Sequence, residues 1–262
     1  MLFINLIRQG LLGDVLHAEC SYQHDLRGIK FSKDGEGLWR RAWSISHNAN
    51  LYPTHGIGPI ANYMNINRGD QFDYLVSMSG PSRGLQLWQE EKLEKDDPRR
   101  SEKYKLGDVN TTLIRTKMGK TIYLVHDTNL PRPYSRINMV QGTRGICCDY
   151  PARVHIESRS PHHAWEKAED YYPKFEHPLW KSEKVKNASG GHGGMDYLEN
   201  YRIIQCLLRG EPTDMNVYDA VAWSCLCEAT EKSVASRSKS IDIPDFTRGK
   251  WKVWPALGIV EA

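Results

Sequence analysis

The sequence predicts an α+β domain, an open and mostly antiparallel β-sheet with helices on one face. Three observations carry this. Short alternating segments, the mark of half-buried strands, fill the first part of the chain, and several are joined by tight turns that make sequential pairing antiparallel. Two long amphipathic segments, 196–208 and 216–235, come late and close together. No strand leads into a G-x-G-x-x-G turn, so a dinucleotide-binding sheet is not signalled.

In chain order, residues 1–12 read as a short helix with apolar Leu2, Phe3, Leu6, Ile7 and Leu11, stopped by Gly10 or Gly13. Val15 to Gln23 alternates as a strand and delivers Tyr22, His24 and Asp25 to its end. Residues 27–46 are expected to form a long polar loop carrying Trp39, Arg40, Arg41 and Trp43, held in order by its aromatic rings. A helix start follows at Asn50-Leu-Tyr-Pro-Thr-His-Gly-Ile-Gly-Pro59, with Pro53 in the first turn and Asn48 or Asn50 as its cap. Tyr52 and His55 are three apart and share a helix face. Gly56 and Gly58 either leave that face bare for a ligand or let it lie close against a neighbouring segment.

Residues 72–78 form a strand, 85–93 a surface helix and 90–104 a solvated charge run. A meander then pairs 109–117 with 121–127 across the turn Met118-Gly119-Lys120, and strands at 137–141 and 145–149 follow the interruption at 130–136. Residues 161–189 read as an irregular loop rich in aromatics. The glycine-rich Ser189-Gly-Gly-His-Gly-Gly-Met-Asp196 lets the backbone around His192 turn left-handed and approach another surface. The two late helices and a last strand at 240–243 complete the chain, with Trp251 and Trp254 in the tail.

Bulk properties narrow the function. The chain has 262 residues and a net charge of +3, too weak a bias to argue for nucleic acid or an anionic membrane. There is no apolar run long enough for a membrane span, and residues 2–7 lack the basic leader and cleavage site of a signal peptide. The cysteines (Cys20, Cys147, Cys148, Cys206, Cys225, Cys227) contain no C-x-x-C pair and read as buried free thiols rather than disulfides or a zinc site. Loop histidines 155, 162, 163 and 177 have irregular spacing, and no metal is expected on them. No P-loop, G-x-S-x-G, H-E-x-x-H or carboxylate pair of a glycosidase can be pointed to.

What remains is a polar and aromatic set on strand ends and helix starts: Tyr22, His24, Arg40, Tyr52, His55, Tyr134 and His192. Neighbouring histidine and tyrosine can move protons when burial tunes them. Arginine and the many aromatic rings (8 Trp and 13 Tyr) suit a polyol or an N-acetyl sugar.

Taken together, Gln9-Gly-Leu-Leu-Gly-Asp14, Ser21-Tyr-Gln-His-Asp-Leu-Arg27, Leu38-Trp-Arg40, residues 50–58, Pro131-Arg-Pro-Tyr-Ser-Arg136 and Gly190-Gly-His-Gly-Gly-Met-Asp196 resemble glycoside hydrolase family 109. These are NAD-dependent α-N-acetylgalactosaminidases of the Gfo/Idh/MocA oxidoreductase superfamily. The resemblance spans essentially the whole chain. It implies a nucleotide-binding domain followed by an open-sheet domain, and residues 1–262 resemble only the second. The glycine fingerprint and the Glu-Lys-Pro motif of the cofactor side are missing.

The resemblance implies a mechanism without a carboxylate pair: oxidation of the sugar at C3, loss of the C2 proton, departure of the aglycone from C1, addition of water and re-reduction. Carried over by motif, Tyr22 and His24 would meet the NAD nicotinamide. Arg40, Tyr52, Thr54 and His55 would hold the sugar, Tyr134 would complete the pocket and His192 would line it. Tyr52 and His55 are both open as the proton-transfer residue. The expected partners are a glycan ending in N-acetylgalactosamine and further copies of the chain through the sheet face, with weak NAD binding and negligible turnover for the chain alone. A sugar or polyol dehydrogenase domain and a non-enzymatic sugar-binding or oligomerisation domain are the alternatives. Family members often carry export signals, and the compartment is left open.

Overall fold

A computed structural model of the protein describes residues 1–185, 187–189 and 191–256. Gly190, the first glycine of the glycine-rich motif, lies outside the described residues. The chain runs α1 (Leu2–Arg8), β1 (Val15–Gln23), α2 (Arg27–Lys30), α3 (Glu36–Ser46), α4 (Thr54–Tyr63), β2 (Phe72–Ser79), α5 (Gly84–Lys92), β3 (Val109–Thr116) and β4 (Thr121–Asp127). It continues with β5 (Met139–Gly142), β6 (Gly145–Cys148), β7 (Arg153–Ile156), β8 (Glu166–Lys167), α6 (Tyr172–Phe175), α7 (Pro178–Lys181), α8 (Met195–Arg209), α9 (Val217–Ala235) and β9 (Ile241–Asp242).

Among the described residues, the strands join one nine-stranded sheet in the order β8-β7-β6-β5-β1-β4-β3-β2-β9. Every pairing is antiparallel except the central one, β1 with β4, which is parallel. The open, mostly antiparallel α+β sheet expected from the sequence is therefore the fold. The parallel pair matters for function. It sets Tyr22 opposite His126 and Gln23 opposite Asp127, so two strands end on the same edge.

Alternation fixes the two faces of the sheet. Ala18, Cys20, Leu75, Ile114, Ile122 and Leu124 point inward and are buried with Ile57 and Ile60 of α4 and Trp223 and Leu226 of α9. α4 lies on β1 and α9 on β2. Tyr74, Met78 and Leu113 point the other way and stay exposed. α9 starts with a capping box between Asn216 and Asp219, and Asp219 also receives the Arg68 guanidinium at 2.6 Å.

Several expectations are corrected. Residues 27–46 are not a loop but contain α2 and α3. The buried positions of α3 are Gly37, Arg40 and Ser44, while Leu38, Trp39, Trp43 and Ile45 are exposed, so the hydrophobic pattern pointed away from the packed face. Neither Asn48 nor Asn50 caps α4: Asn48 accepts from the Gly107 N–H, and Asn50 accepts from the Tyr52 N–H in the turn before it. Pro53 stands at the cap position, and Tyr52 precedes the helix rather than sharing it. Gly56 and Gly58 are not open to a ligand, being filled by the β1 backbone and by Trp223. β7 was not anticipated, and residues 161–189 include β8, α6, α7 and a 3₁₀ turn rather than one irregular loop. The six cysteines are free, and four of them are buried.

Candidate functional site

Tyr22 anchors the site. It is buried at the end of β1, and five ring side chains gather on it, His126 among them at 6.4 Å. Tyr52 lies at 4.6 Å between ring centroids, His55 at 5.1 Å, Tyr134 at 6.2 Å and His24 at 6.2 Å. His55 and Tyr52 are themselves 4.7 Å apart, and His24 meets Tyr134 at 5.1 Å.

Each ring has a local reason for its place. Gly56 lets the first turn of α4 rest on the Ser21 backbone, which sets His55 beside Tyr22. The turn before α4 is pinned at Asn50, whose N–H donates to Thr230 of α9 at 3.0 Å and whose side chain holds the Tyr52 N–H at 3.2 Å. Tyr134 comes from the segment between β4 and β5, which bridges to β1 at Gln23 and Ser135. Arg136 Nε donates to the Tyr134 hydroxyl at 2.5 Å. Thr54 opens α4 and is half-buried beside His55.

Arg40 of α3 closes the cluster from one side. It is buried, donates to Glu36 at 2.7 Å and lies over the rings of Trp39 (4.3 Å), Tyr52 (4.9 Å) and Tyr22 (5.9 Å). Behind it, Lys30, Ser44, Leu51, His126 and Thr128 line a small cavity shared with Arg40 and Tyr52. Lys30 is buried and donates to Thr128 at 2.8 Å and to Asn129 at 2.5 Å, with no carboxylate in ion-pair contact among the described residues. His126 Nδ1 is buried without a hydrogen-bond partner among the described residues.

The electrostatics follow from burial beside fixed cations. Burial, Arg136, Arg40 and His192 together hold the His55 imidazole below its ordinary value, so it is neutral at pH 7. Burial raises the Tyr22 phenol, with Arg40 opposing. Burial and Arg40 push the Lys30 ammonium down to about 7, and burial with Lys30 and Arg40 pushes His126 down to about 3. The cluster is thus a set of neutral rings and hydroxyls flanked by guanidinium groups. It can bind a neutral polyhydroxylated ring, accept a proton at His55 and stabilise developing negative charge at Arg40.

The fold therefore brings together six of the residues singled out in the sequence, Tyr22, His24, Arg40, Tyr52, His55 and Tyr134. His192 stands apart. It is 71% exposed, left-handed at φ 52°, and paired with Asp196 at 2.8 Å. Its electrostatic influence reaches His55, but its ring does not join the cluster. Sequence reasoning missed Lys30, His126 and Arg136. His126 carries the same strand-end signal as His24, whereas Lys30 reads as an ordinary surface cation. Among the described residues no group of three or more His, Cys, Asp or Glu side chains is placed to hold a metal ion.

Comparison with known proteins decides the family. The profile described as glycosyl hydrolase 109, C-terminal domain, matches residues 1–253. The chain belongs to the glycosyl hydrolase 109 family. A glycosyl hydrolase family 109 protein of Solibacter usitatus is 49% identical over 253 residues, which is 96% of this chain and 58% of that protein. A glycosyl hydrolase family 109 protein of Shewanella amazonensis is 47% identical over 266 residues, covering 100% of this chain and again 58% of the relative. This glycosyl hydrolase 109 chain thus spans 58% of the length of the curated relatives it matches.

Among solved structures, levoglucosan dehydrogenase in complex with NADH aligns with a TM-score of 0.65 at 18% identity, over 94% of this chain and 63% of that one. An NAD-binding oxidoreductase from Klebsiella pneumoniae aligns with a TM-score of 0.67 at 13% identity, over 93% and 63%. At this level of identity these neighbours share the fold.

Proposed function

We propose that the chain is the substrate-binding half of an NAD-dependent α-N-acetylgalactosaminidase, active when joined to a nucleotide-binding domain. The observation that carries this reading is the convergence of Tyr52, His55, Arg40 and Tyr134 on Tyr22, all within ring-contact distance. Family membership supports a glycan as substrate.

Tyr22 and His24 are the residues that would meet the nicotinamide of NAD. The fit is partial. Their aromatic faces beside Tyr134 suit a flat ring. Among the described residues, however, no strand leads into a glycine-rich turn and helix that would cradle a pyrophosphate. When bound, NAD supplies the hydride acceptor and donor for C3 of the sugar.

The remaining work falls to this chain's own side chains. Arg40, Tyr52, Thr54 and Tyr134 hold and orient the sugar. His55 accepts the C2 proton in this account, because its surroundings keep it unprotonated at pH 7. The Tyr52 hydroxyl would give a proton to the departing oxygen. Arg40 would stabilise the oxygen on which negative charge develops. The exposed sheet face at Tyr74, Met78 and Leu113 is where we place contact with a second copy.

The test is an α-linked chromogenic N-acetylgalactosaminide assayed with the chain fused to the nucleotide-binding domain of a family relative. Sugar release without NADH accumulation is expected. NADH formed in step with sugar consumed, without release, would instead fit a net sugar dehydrogenase. Release from the isolated chain without NAD would contradict the proposal.

A further inference from the structure

The ring cluster does not stop at Tyr52. Trp39 stacks on Tyr52 at 6.3 Å, with 27° between the planes. Trp43 meets Trp39 edge-on at 6.4 Å, and His47 lies 5.1 Å beyond Trp43. Positions 39, 43 and 47 are four apart, so they follow one side of α3 and its end. The adjoining side, Gly37, Arg40 and Ser44, is the one buried against the domain. The two indoles are therefore turned outward, with Trp39 39% and Trp43 43% exposed. Indoles left this open beside a pocket mark a surface made to be covered.

The outer end of this line is polar. His47 Nδ1 lies 2.9 Å from the Glu231 carboxylate, and Lys105 approaches the other Glu231 oxygen at 3.8 Å. All three side chains keep part of their surface in solvent. Two aromatic platforms with an imidazole, a carboxylate and an ammonium at their rim match one kind of ligand, a pyranose. Its C–H face lies on an indole while its hydroxyls reach the rim. An apolar protein segment would strip water from the charged rim without replacing its hydrogen bonds. A nucleic acid would set phosphates against the Glu231 carboxylate.

We propose that the Trp39–Trp43 ledge is a second sugar subsite, taking the pyranose that follows the terminal residue held at Tyr52 and His55. The inference deepens the proposed function and rests on it for the terminal sugar. It makes the chain selective for the glycan over the free monosaccharide. Trp39 serves both subsites, since it also stacks on Arg40 and Tyr52. Trp43 serves the second alone.

The experiment titrates the 262-residue chain calorimetrically with N-acetylgalactosamine and with a disaccharide in which that sugar is α-linked to galactose. Wild type, Trp43→Ala and Trp43→Phe are compared, with circular dichroism confirming the fold of each. The expected result is a disaccharide bound about tenfold more tightly than the monosaccharide, the worth of one aromatic platform. Trp43→Ala removes that margin and leaves monosaccharide binding unchanged, and Trp43→Phe retains most of it. Equal affinities in the wild type, or a margin untouched in Trp43→Ala, overturn the subsite. Disaccharide binding that depends on Trp43, with no monosaccharide binding, contradicts the terminal pocket and leaves the ledge standing. Binding of neither sugar overturns both.

Discussion

Gly56 of α4 rests on the backbone of Ser21 in β1 so closely that a Cβ on it would lie 2.8 Å from the Ser21 nitrogen and 2.9 Å from its carbonyl oxygen. Helix and strand can approach this far only because the side chain is missing, and the approach is what seats His55 on Tyr22. Gly56→Ala would gain a little helix propensity but push two backbones apart. The expected net cost is about 1–3 kcal/mol of stability, read as a lowered urea midpoint. Sugar affinity should fall with it, because His55 and Tyr22 separate.

Arg40 touches three rings with one planar group. Arg40→Lys keeps the charge but loses the flat face over Tyr52, Trp39 and Tyr22. Affinity for N-acetylgalactosamine should drop about tenfold on calorimetric titration, close to the effect of Arg40→Ala. Full retention by the lysine variant would assign Arg40 a purely electrostatic part.

Lys30 gives the fold a pH dependence. Its folded value of about 7 lies below its ordinary value, so between the two the unfolded chain binds more protons. Stability should therefore rise from pH 7 toward pH 10, by at most about 1.4 kcal/mol per pH unit from this group. Lys30→Met should flatten that rise in denaturant titrations at successive pH values. His55 and His126 act at the other end. Both are depressed below their ordinary value, so stability is lost as pH falls below 6.5 toward their folded values, about 3 for His126. His126→Phe should make the acid limb shallower.

Asp219 closes the capping box of α9, accepts from Asn67 and neutralises the half-buried Arg68. Asp219→Ala strands that guanidinium and should cost about 3–5 kcal/mol. Asn216→Ala removes only a cap and should cost about 1 kcal/mol. Equal urea midpoints for the two variants would show that the ion pair adds nothing to the cap.

The proton-transfer assignment separates chemistry from binding. In a chain fused to a nucleotide-binding domain, His55→Asn should lower turnover about 10²–10⁴-fold. Sugar affinity of the isolated variant should change far less. Tyr52→Phe should lower turnover more modestly.

How much of this was legible in the sequence depended on where each residue's burial comes from. Tyr22, His24, Tyr52 and His55 were readable because they sit at the ends of regular elements whose periodicity marks the ends. α3 was not, because its buried face is Gly37, Arg40 and Ser44 while its large apolar residues face solvent, which inverts the usual signal. Lys30 was out of reach for another reason, and His126 showed a strand-end signal but not its neighbours. Lys30 is buried against Thr128 and Asn129, about a hundred residues away, and His126 reaches the site through the parallel β1–β4 pairing, which local turn chemistry does not encode. His192 was placed by its glycines, but His192, Gly193 and Gly194 form a left-handed entry to α8 rather than a wall of the ring cluster.

The central claim is that the rings around Tyr22 bind the terminal sugar. Titrating the isotope-labelled 262-residue chain with N-acetylgalactosamine, observed by NMR at the histidine and tyrosine side chains, tests it most directly. Saturable shifts concentrated on His55, Tyr52 and Tyr134, and abolished in Arg40→Ala, are the predicted result. Shifts that are absent, that do not saturate, or that fall on other parts of the fold would contradict it.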